Sequence, residues 1–407
     1  MWSRTFSNVE VDFRGAADEN GNLYWVEYDP PPTFLNPTAP AFLVSADSGG
    51  QNHYRVPAPG AAVGGFLLMN GNVVMSQGLV VTAYASATGA RSWSLDLSAT
   101  QPAGSDFIGG MTDLGNGKVA FSRYAYAAAA TSLYVVDATS GSVVWSTAAS
   151  ASTDFEVLGS DGAGSMLVTS NPSSSYPPYQ TTADVAVLDS SGQQIWKQRI
   201  IDGPPELGSL LAWSSSTPWL SIAGNQGICS TANYTAVPAG WFGETVRDDL
   251  GFLFSLGATA TSPDNVQVLR SGAVLATGPL AGTNAYDGLA VFPFLAGDHV
   301  DMLGQLWHSI PAICHPSAAG AAWFGRVDAK SLYQCPLTFV GESGIEAAAL
   351  LRGRLIVGRR TYLTDGCTHE VQPVTIEAYA LPGESLAASG WVQREGSPGL
   401  GWRPRAP

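Results

Sequence analysis

The chain has 407 residues, only 13% of them charged, and 33 acidic against 19 basic side chains give a formal net charge of −14. That balance leaves no basic footprint for nucleic acid or an anionic membrane surface, and no run of about 18 apolar residues is present to span a bilayer. Its 46 glycines and 26 prolines, abundant Ala, Ser, Thr and Val, and the lack of any sustained apolar 3.6 periodicity point to an all-β chain.

In chain order, Met1-Trp2-Ser3-Arg4 runs directly into strand-like sequence. With four cysteines and a surface rich in Ser, Thr, Gly and Asn, this reads as a mature exported domain, secreted, periplasmic or extracellular, separated from its export segment. Short apolar–turn–apolar units follow, clearest in LLMNGNVVM (Leu67 to Met75) and LLRGRLIVG (Leu350 to Gly358). Asn-Gly and similar pairs supply the positive φ that tight hairpins require. First-hairpin turns are expected near Asn20-Gly21, Asn70-Gly71, Asn116-Gly117, Asp161-Gly162, Ser215-Ser216, Asp249-Leu250, Gly297-Asp298 and Arg352-Gly353.

A second kind of hairpin alternates with the first. It is seen best in LYVVDATSGSVVW, Leu133 to Trp145, where period-two strands flank a Gly-bearing turn. VTAYASATGARSW, ending at Trp93, and VAVLDSSGQQIW, ending at Trp196, repeat it, and in all three the glycine (Gly89, Gly141, Gly192) precedes the tryptophan by four. Further second-hairpin turns are expected near Ser48-Gly49, Ser271-Gly272, Ala329-Lys330 and Pro382-Gly383. Two hairpins, hence four strands, per unit of roughly 45 residues is the arithmetic of a β-propeller. The expectation is one single-domain propeller over residues 1–407 with eight four-stranded blades. Seven is the alternative, because no second hairpin is visible between Trp213 and Trp241. Closure should bring Met1 to Ser7 beside the last blade, since an open seam would expose strand edges.

A strand, a D-x-x-x-G or D-x-x-G turn and a closing tryptophan resemble the quinoprotein-type (PQQ-like) propeller repeat, also found in BamB-like propellers. Asp137 to Gly141 and Asp189 to Gly192 match that turn. Gly89 matches in part, with Ser86 where the aspartate would be. The end of the chain, LAASGWVQREG from Leu386 to Gly396, also looks like the end of such a propeller. A resemblance of this kind specifies architecture better than activity. The tryptophans Trp93, Trp145 and Trp196 are read as core packing between blades rather than as stacking platforms.

The expected second-to-third-strand connections are uneven. YDPPPTFLNPTAP (Tyr28 to Pro40), YAYAAAAT (Tyr124 to Thr131), NPSSSYPPYQTTA (Asn171 to Ala183), WHSIPAICHPSAAG (Trp307 to Gly320) and TYLTDGCTHEVQP (Thr361 to Pro373) are long, while the hairpin turns stay short. In a propeller that connection always leaves on the same face, so a binding surface for a protein or glycan partner is expected there. Phe34, Tyr126, Tyr176, Tyr179, Trp307 and Tyr362 are its candidate ligand-binding aromatics. Tyr176 and Tyr179 come first, because Pro177 and Pro178 lie between them.

Cys229, Cys314, Cys335 and Cys367 are expected to form two disulfides, with Cys229, Cys314 and Cys367 in same-face loops and Cys335 on an outer strand. Cys229–Cys314 with Cys335–Cys367 requires only neighbouring contacts. His308, His315 and His369 lie near two of these cysteines, but without the paired C-x₂₋₄-C spacing of structural zinc sites. Asp18-Glu19-Asn20-Gly21-Asn22 has alternate oxygen ligands without the rest of a calcium loop and reads as a glycine turn. His53 and His299 stand isolated in the sequence. There is no G-x-S-x-G elbow, HExxH or adjacent cysteine pair. The expectation is therefore a non-enzymatic protein without cofactor or metal. The BamB-like resemblance implies an alternative, an envelope scaffold or assembly propeller; a PQQ-type oxidoreductase or a glycosidase is a further alternative.

Overall fold

The computed structural model describes residues 2–7, 9–29, 39–60, 63–98, 107–125, 130–147, 155–175 and 180–202, then mainly strands from 209 to 337, then 343–361, 373–384 and 386. Side chains are described over most of the first 197 residues, from 292 to 305, and in parts of 322–386.

After β1 (Trp2–Phe6), the strands β2 (Glu10–Asp12), β3 (Leu23–Tyr28), β4 (Ala41–Ala46) and β5 (Asn52–Ala58) pair in order as one antiparallel sheet. The next sheets are β6 (Val63–Met69), β7 (Asn72–Gln77), β8 (Val80–Ala85), β9 (Arg91–Asp96), and then β10 (Phe107–Gly115), β11 (Lys118–Ala125), β12 (Ala130–Asp137), β13 (Val143–Ser146). They are followed by β14 (Phe155–Ser160), β15 (Met166–Ser175), β16 (Gln180–Leu188), β17 (Gln194–Asp202), and by β18 (Ser209–Ser214), β19 (Thr217–Ile222), β20 (Asn225–Cys229), β21 (Tyr234–Ala236). Two more are β22 (Thr245–Arg247), β23 (Phe252–Thr259), β24 (Ser262–Arg270), β25 (Ala273–Pro279), and β26 (Gly288–Ala296), β27 (His299–Ser309), β28 (Ser317–Val327), β29 (Leu332–Leu337). The last contains β30 (Ser343–Leu351), β31 (Arg354–Thr361) and β32 (Val374–Ala380), and β1 completes it. Among the described residues there are thus eight four-stranded antiparallel sheets.

The chain divides into two compact units. A terminal unit is made of Met1–Ala61 with Gly243–Ala388, and a mid-chain unit of Ala62–Phe242. In the mid-chain unit the first strands adjoin in succession, β6 beside β10, β10 beside β14 and β14 beside β18. In the terminal unit β22 adjoins β26, and β26 adjoins β30.

Asn20-Gly21, Asn70-Gly71, Asn116-Gly117, Asp161-Gly162 and Arg352-Gly353, of the eight expected first-hairpin turns, fall between paired strands, and Ser215-Ser216, Asp249-Leu250 and Gly297-Asp298 lie outside the described residues. Asn70-Gly71, Asn116-Gly117 and Arg352-Gly353 have φ of 48° and 71°, 51° and 72°, and 41° and 76°. Such left-handed pairs match the twist of the flanking strands. Between Trp213 and Trp241, where no second hairpin is visible in the sequence, β20 and β21 pair as the last two strands of the sheet β18–β21.

The second-hairpin turns explain the aspartates and the tryptophans together. The Oδ1 of Asp137 accepts the backbone N–H groups of Thr139 and Ser140 at 3.0 and 2.8 Å, and Asp189 does the same for Ser191 and Gln193 at 2.8 and 2.9 Å. The carbonyl one residue past each aspartate is taken by a tryptophan of the preceding sheet. Trp93 Nε1 donates to the Ala138 carbonyl at 2.8 Å, and Trp145 Nε1 to that of Ser190 at 2.7 Å. The ring then lies over the turn glycine: a Cβ on Gly141 would sit 2.6 Å from the Trp93 ring, so the glycine is required there for space as well as for its φ of 72°. Trp93 is buried, and Trp145 packs partly buried against the core formed by Leu114, Leu133, Val135, Val157, Met166 and Val168. Trp196 is half-buried.

The terminal unit contains a third copy that the sequence reading did not identify. Trp2, on β1, donates Nε1 to the Ser48 carbonyl at 2.6 Å and covers Gly50, beside the Asp47 turn. The strand carrying it pairs antiparallel with β32, from Trp2↔Ala378 to Phe6↔Val374, so residues 2–6 lie beside the C-terminal strands as expected. The core between this sheet and β2–β5 joins Phe6, Val11, Phe13, Leu23 and Trp25 to Ala349, Ile356, Val374 and Ile376.

Two expected long connections are shorter. β11 and β12 continue to the pair Ala125↔Ala130, and β15 and β16 to Ser175↔Gln180, leaving four residues between the strands in each case. Polar Ser and Thr residues pair as readily through the backbone as apolar ones do. The ladder is interrupted only between Ser170 and Ser173, where Pro172 has no N–H to give.

Candidate functional site

The connections from second to third strand leave the described sheets at defined points. The first is closed at its base by Asp29 N–H donating to the Pro40 carbonyl at 3.0 Å, and the last by Thr361 N–H donating to that of Pro373 at 2.8 Å. Phe34, Tyr126, Tyr176, Tyr179 and Tyr362 lie outside the described residues. Trp307 is on β27, paired with Gly288 and Ala319, rather than in the connection, and its side chain is outside the described set.

Cys229, expected in a loop, ends strand β20 opposite Tyr234, because its apolar neighbour Ile228 continues the ladder. Cys335 is on the fourth strand β29, opposite Phe324, as expected. The side chains of Cys229 and Cys335 are outside the described residues, as are Cys314, Cys367, His315 and His369 altogether. Asp18 serves its turn as expected, its Oδ1 accepting from Asn20 and Asn22 backbone N–H groups at 2.8 and 2.9 Å and its Oδ2 from the Tyr24 hydroxyl at 2.8 Å.

Two polar clusters anchor the bases of the connections. Glu27, on β3 just before the first connection, is buried. It accepts from Arg55 Nε at 2.7 Å and from Trp25 Nε1 at 3.1 Å, with Arg4 Nη2 at 3.8 Å. Arg55 lies 3.5 Å over the Phe42 ring and also reaches Asp29 at 3.4 Å, while Arg4 covers Phe6 at 4.6 Å. A carboxylate taken out of water is tolerable here because two guanidinium groups meet it, each held by an aromatic face. Near the last connection, Arg359 is buried against Glu377, with Nε and Nη2 at 2.9 and 2.8 Å from its two oxygens, and Tyr379 adds a 2.6 Å bond. Burial pushes the Glu377 carboxyl up, but the bonds from Arg359 and Tyr379 outweigh it and hold the group below its ordinary value.

The third cluster corrects the reading of His299 as isolated. His299 and Asp301 on β27, Arg326 opposite on β28, and Glu384 in the turn after β32 converge within the terminal unit. His299 Nε2 is 3.0 Å from Glu384 Oε2 and 3.7 Å from Asp301 Oδ1. Arg326 donates to Asp301 at 2.8 and 3.3 Å and to Glu384 at 2.5 Å. Burial drives the fully buried Asp301 carboxyl above its usual value despite Arg326, whereas Glu384 is held below its own, the Arg326 and His299 bonds exceeding the effect of burial. Sequence separation hid this group: His299 and Glu384 are 85 positions apart.

Four-stranded antiparallel meanders with aspartate turns and docked tryptophans are similar to the PQQ-like propeller repeat. Residues 32–171 match the family described as outer membrane protein assembly factor BamB, so the BamB-like resemblance carried by the turns holds over that stretch. BamB from Moraxella catarrhalis has a similar structure, with 13% identity, a TM-score of 0.50, and coverage of 92% of this chain and 99% of that one. At this identity the likeness is one of fold. One of two prolyl endopeptidases described for inter-domain dynamics in catalysis and specificity is similar at 12% identity and a TM-score of 0.44, over 87% of this chain and 54% of its own. No curated protein matches the sequence. Among the described residues no helix is long and apolar enough to cross a membrane.

Proposed function

We propose that this chain is a non-enzymatic scaffold of the cell envelope, a single closed propeller of eight blades that holds a protein partner on the side of its second-to-third-strand connections. The observation that carries this reading is the match of residues 32–171 to the family of an outer membrane protein assembly factor, supported by mutual coverage above nine-tenths with a BamB structure. Short-turned sheets that carry longer connections at one end suit docking more than turnover. Four cysteines in an exported chain form two disulfides in this reading, checked by mass with and without reductive alkylation.

The test is capture from a native envelope extract with a cross-linker, comparing the wild type with a Tyr176→Ala, Tyr179→Ala double variant. Exposed aromatics carry most of a docking energy, so the variant should keep its melting temperature and lose about tenfold in affinity, about 1.4 kcal/mol. Capture at full strength by the folded variant would move the surface away from these two residues. Failure of the wild type to retain any envelope protein, together with specific binding on a glycan array, would replace the protein partner with a glycan.

A further inference from the structure

We propose that His299, Asp301 and Glu384 form a binding site for a divalent transition-metal ion of zinc-like preference, which staples the sheet β26–β29 to the turn after β32. Their ligand atoms all lie within 4.8 Å of one another. The two measured separations from His299 Nε2, 3.0 and 3.7 Å, bracket the roughly 3.3–3.6 Å between neighbouring ligands of a tetrahedral zinc with bonds of about 2.0–2.2 Å. One imidazole nitrogen and two carboxylates suit zinc and its neighbours. Calcium and magnesium prefer oxygen alone.

The groups around the site divide into fixed and movable. Asp301 is fully buried on its strand, while His299 and Glu384 retain 17% exposure, enough for an ion to enter from solvent. Arg326 holds both carboxylates, yet its side chain is 40% exposed and it comes from the facing strand β28. It is the resident cation that a metal displaces, because its guanidinium can turn to water and the Asp301 carboxylate cannot. Among the described residues one guanidinium bridges the two carboxylates, and a divalent ion in its place would carry twice its charge.

The experiment is zinc titration of the full chain after chelator treatment, read by thermal unfolding and calorimetry, with cobalt(II) as a spectroscopic stand-in. One equivalent should bind and raise the melting temperature. Cobalt should give the visible bands of a four-coordinate nitrogen–oxygen site with no thiolate charge-transfer band. His299→Ala and Glu384→Gln should each weaken zinc at least about tenfold, and Arg326→Gln should tighten it. If His299→Ala does not fold, Glu384→Gln and the cobalt spectrum decide. The proposal is overturned by a wild type whose melting temperature ignores micromolar zinc, by zinc affinity unchanged in the folded variants, or by a cobalt–thiolate spectrum.

Discussion

Successive sheets of this protein are joined in two chemically different ways. Between β6–β9 and β10–β13 the joint is apolar: Trp93 lies on Gly141 and spends its one polar atom on the Ala138 carbonyl. Between β26–β29 and the last sheet the equivalent turn, Leu381 to Glu384, also carries a left-handed glycine, Gly383, but among the described residues a Cβ there would meet nothing within 4 Å. Glu384 instead reaches across to Arg326 and His299. An apolar joint is close to indifferent to pH and ions. A polar joint holds only while every charge in it is matched, and that condition makes it a place where solution conditions can act.

The largest effect should come from Trp93→Ala, which removes a buried ring and leaves the Ala138 carbonyl without its donor. A loss of about 3–5 kcal/mol is expected from denaturant unfolding. A loss below about 1 kcal/mol would mean the joint is not apolar in its energetics. The two turn glycines separate backbone strain from ring contact. Gly383→Ala should cost about 1–2 kcal/mol for its left-handed φ alone, and Gly141→Ala that amount plus about 1–3 kcal/mol for crowding the indole. Equal costs at the two positions would remove the distinction between the joints.

Arg326→Ala should destabilise by about 2–3 kcal/mol, less than for a fully enclosed pair because the guanidinium is partly in water. A neutral result would show that Asp301 finds its compensation elsewhere.

The smallest effect is the pH dependence, measured with chelator present. Glu384 is held below its ordinary value in the folded protein, so its contribution is complete above the unfolded value of about 4.3 and is lost as pH falls through the folded one. Asp301 acts in the opposite sense: with its folded value raised, the ionised form costs stability at neutral pH, and acidification relieves that cost. Glu384→Gln should therefore flatten the acid limb, narrowing the gap to the wild type between pH 6 and 3. A constant gap across that range would contradict the assignment.

The local half of this architecture was readable in advance. Asn70-Gly71 and Asn116-Gly117 between apolar runs each make a hairpin turn in the described sheets. The three aligned tryptophans pointed to packing between sheets, and Trp93 and Trp145 do pack that way. Trp2 escaped because its strand precedes the first turn of the chain and joins the last sheet, so no repeat spacing marks it. The polar tract Asn171 to Ser175 read as loop because its side chains carry no strand pattern, although its backbone pairs regardless.

What the sequence determined by itself is whatever depends on residues a few positions apart: turn conformation, strand alternation, and the period that makes the units alike. Which tryptophan meets which glycine, that β1 belongs with β32, and that His299, Asp301, Arg326 and Glu384 meet were decided only by the tertiary structure. Those contacts include pairs 25, 45 and 370 positions apart, and their partners are set by how strands and sheets pack, a geometry that no short stretch of chain encodes.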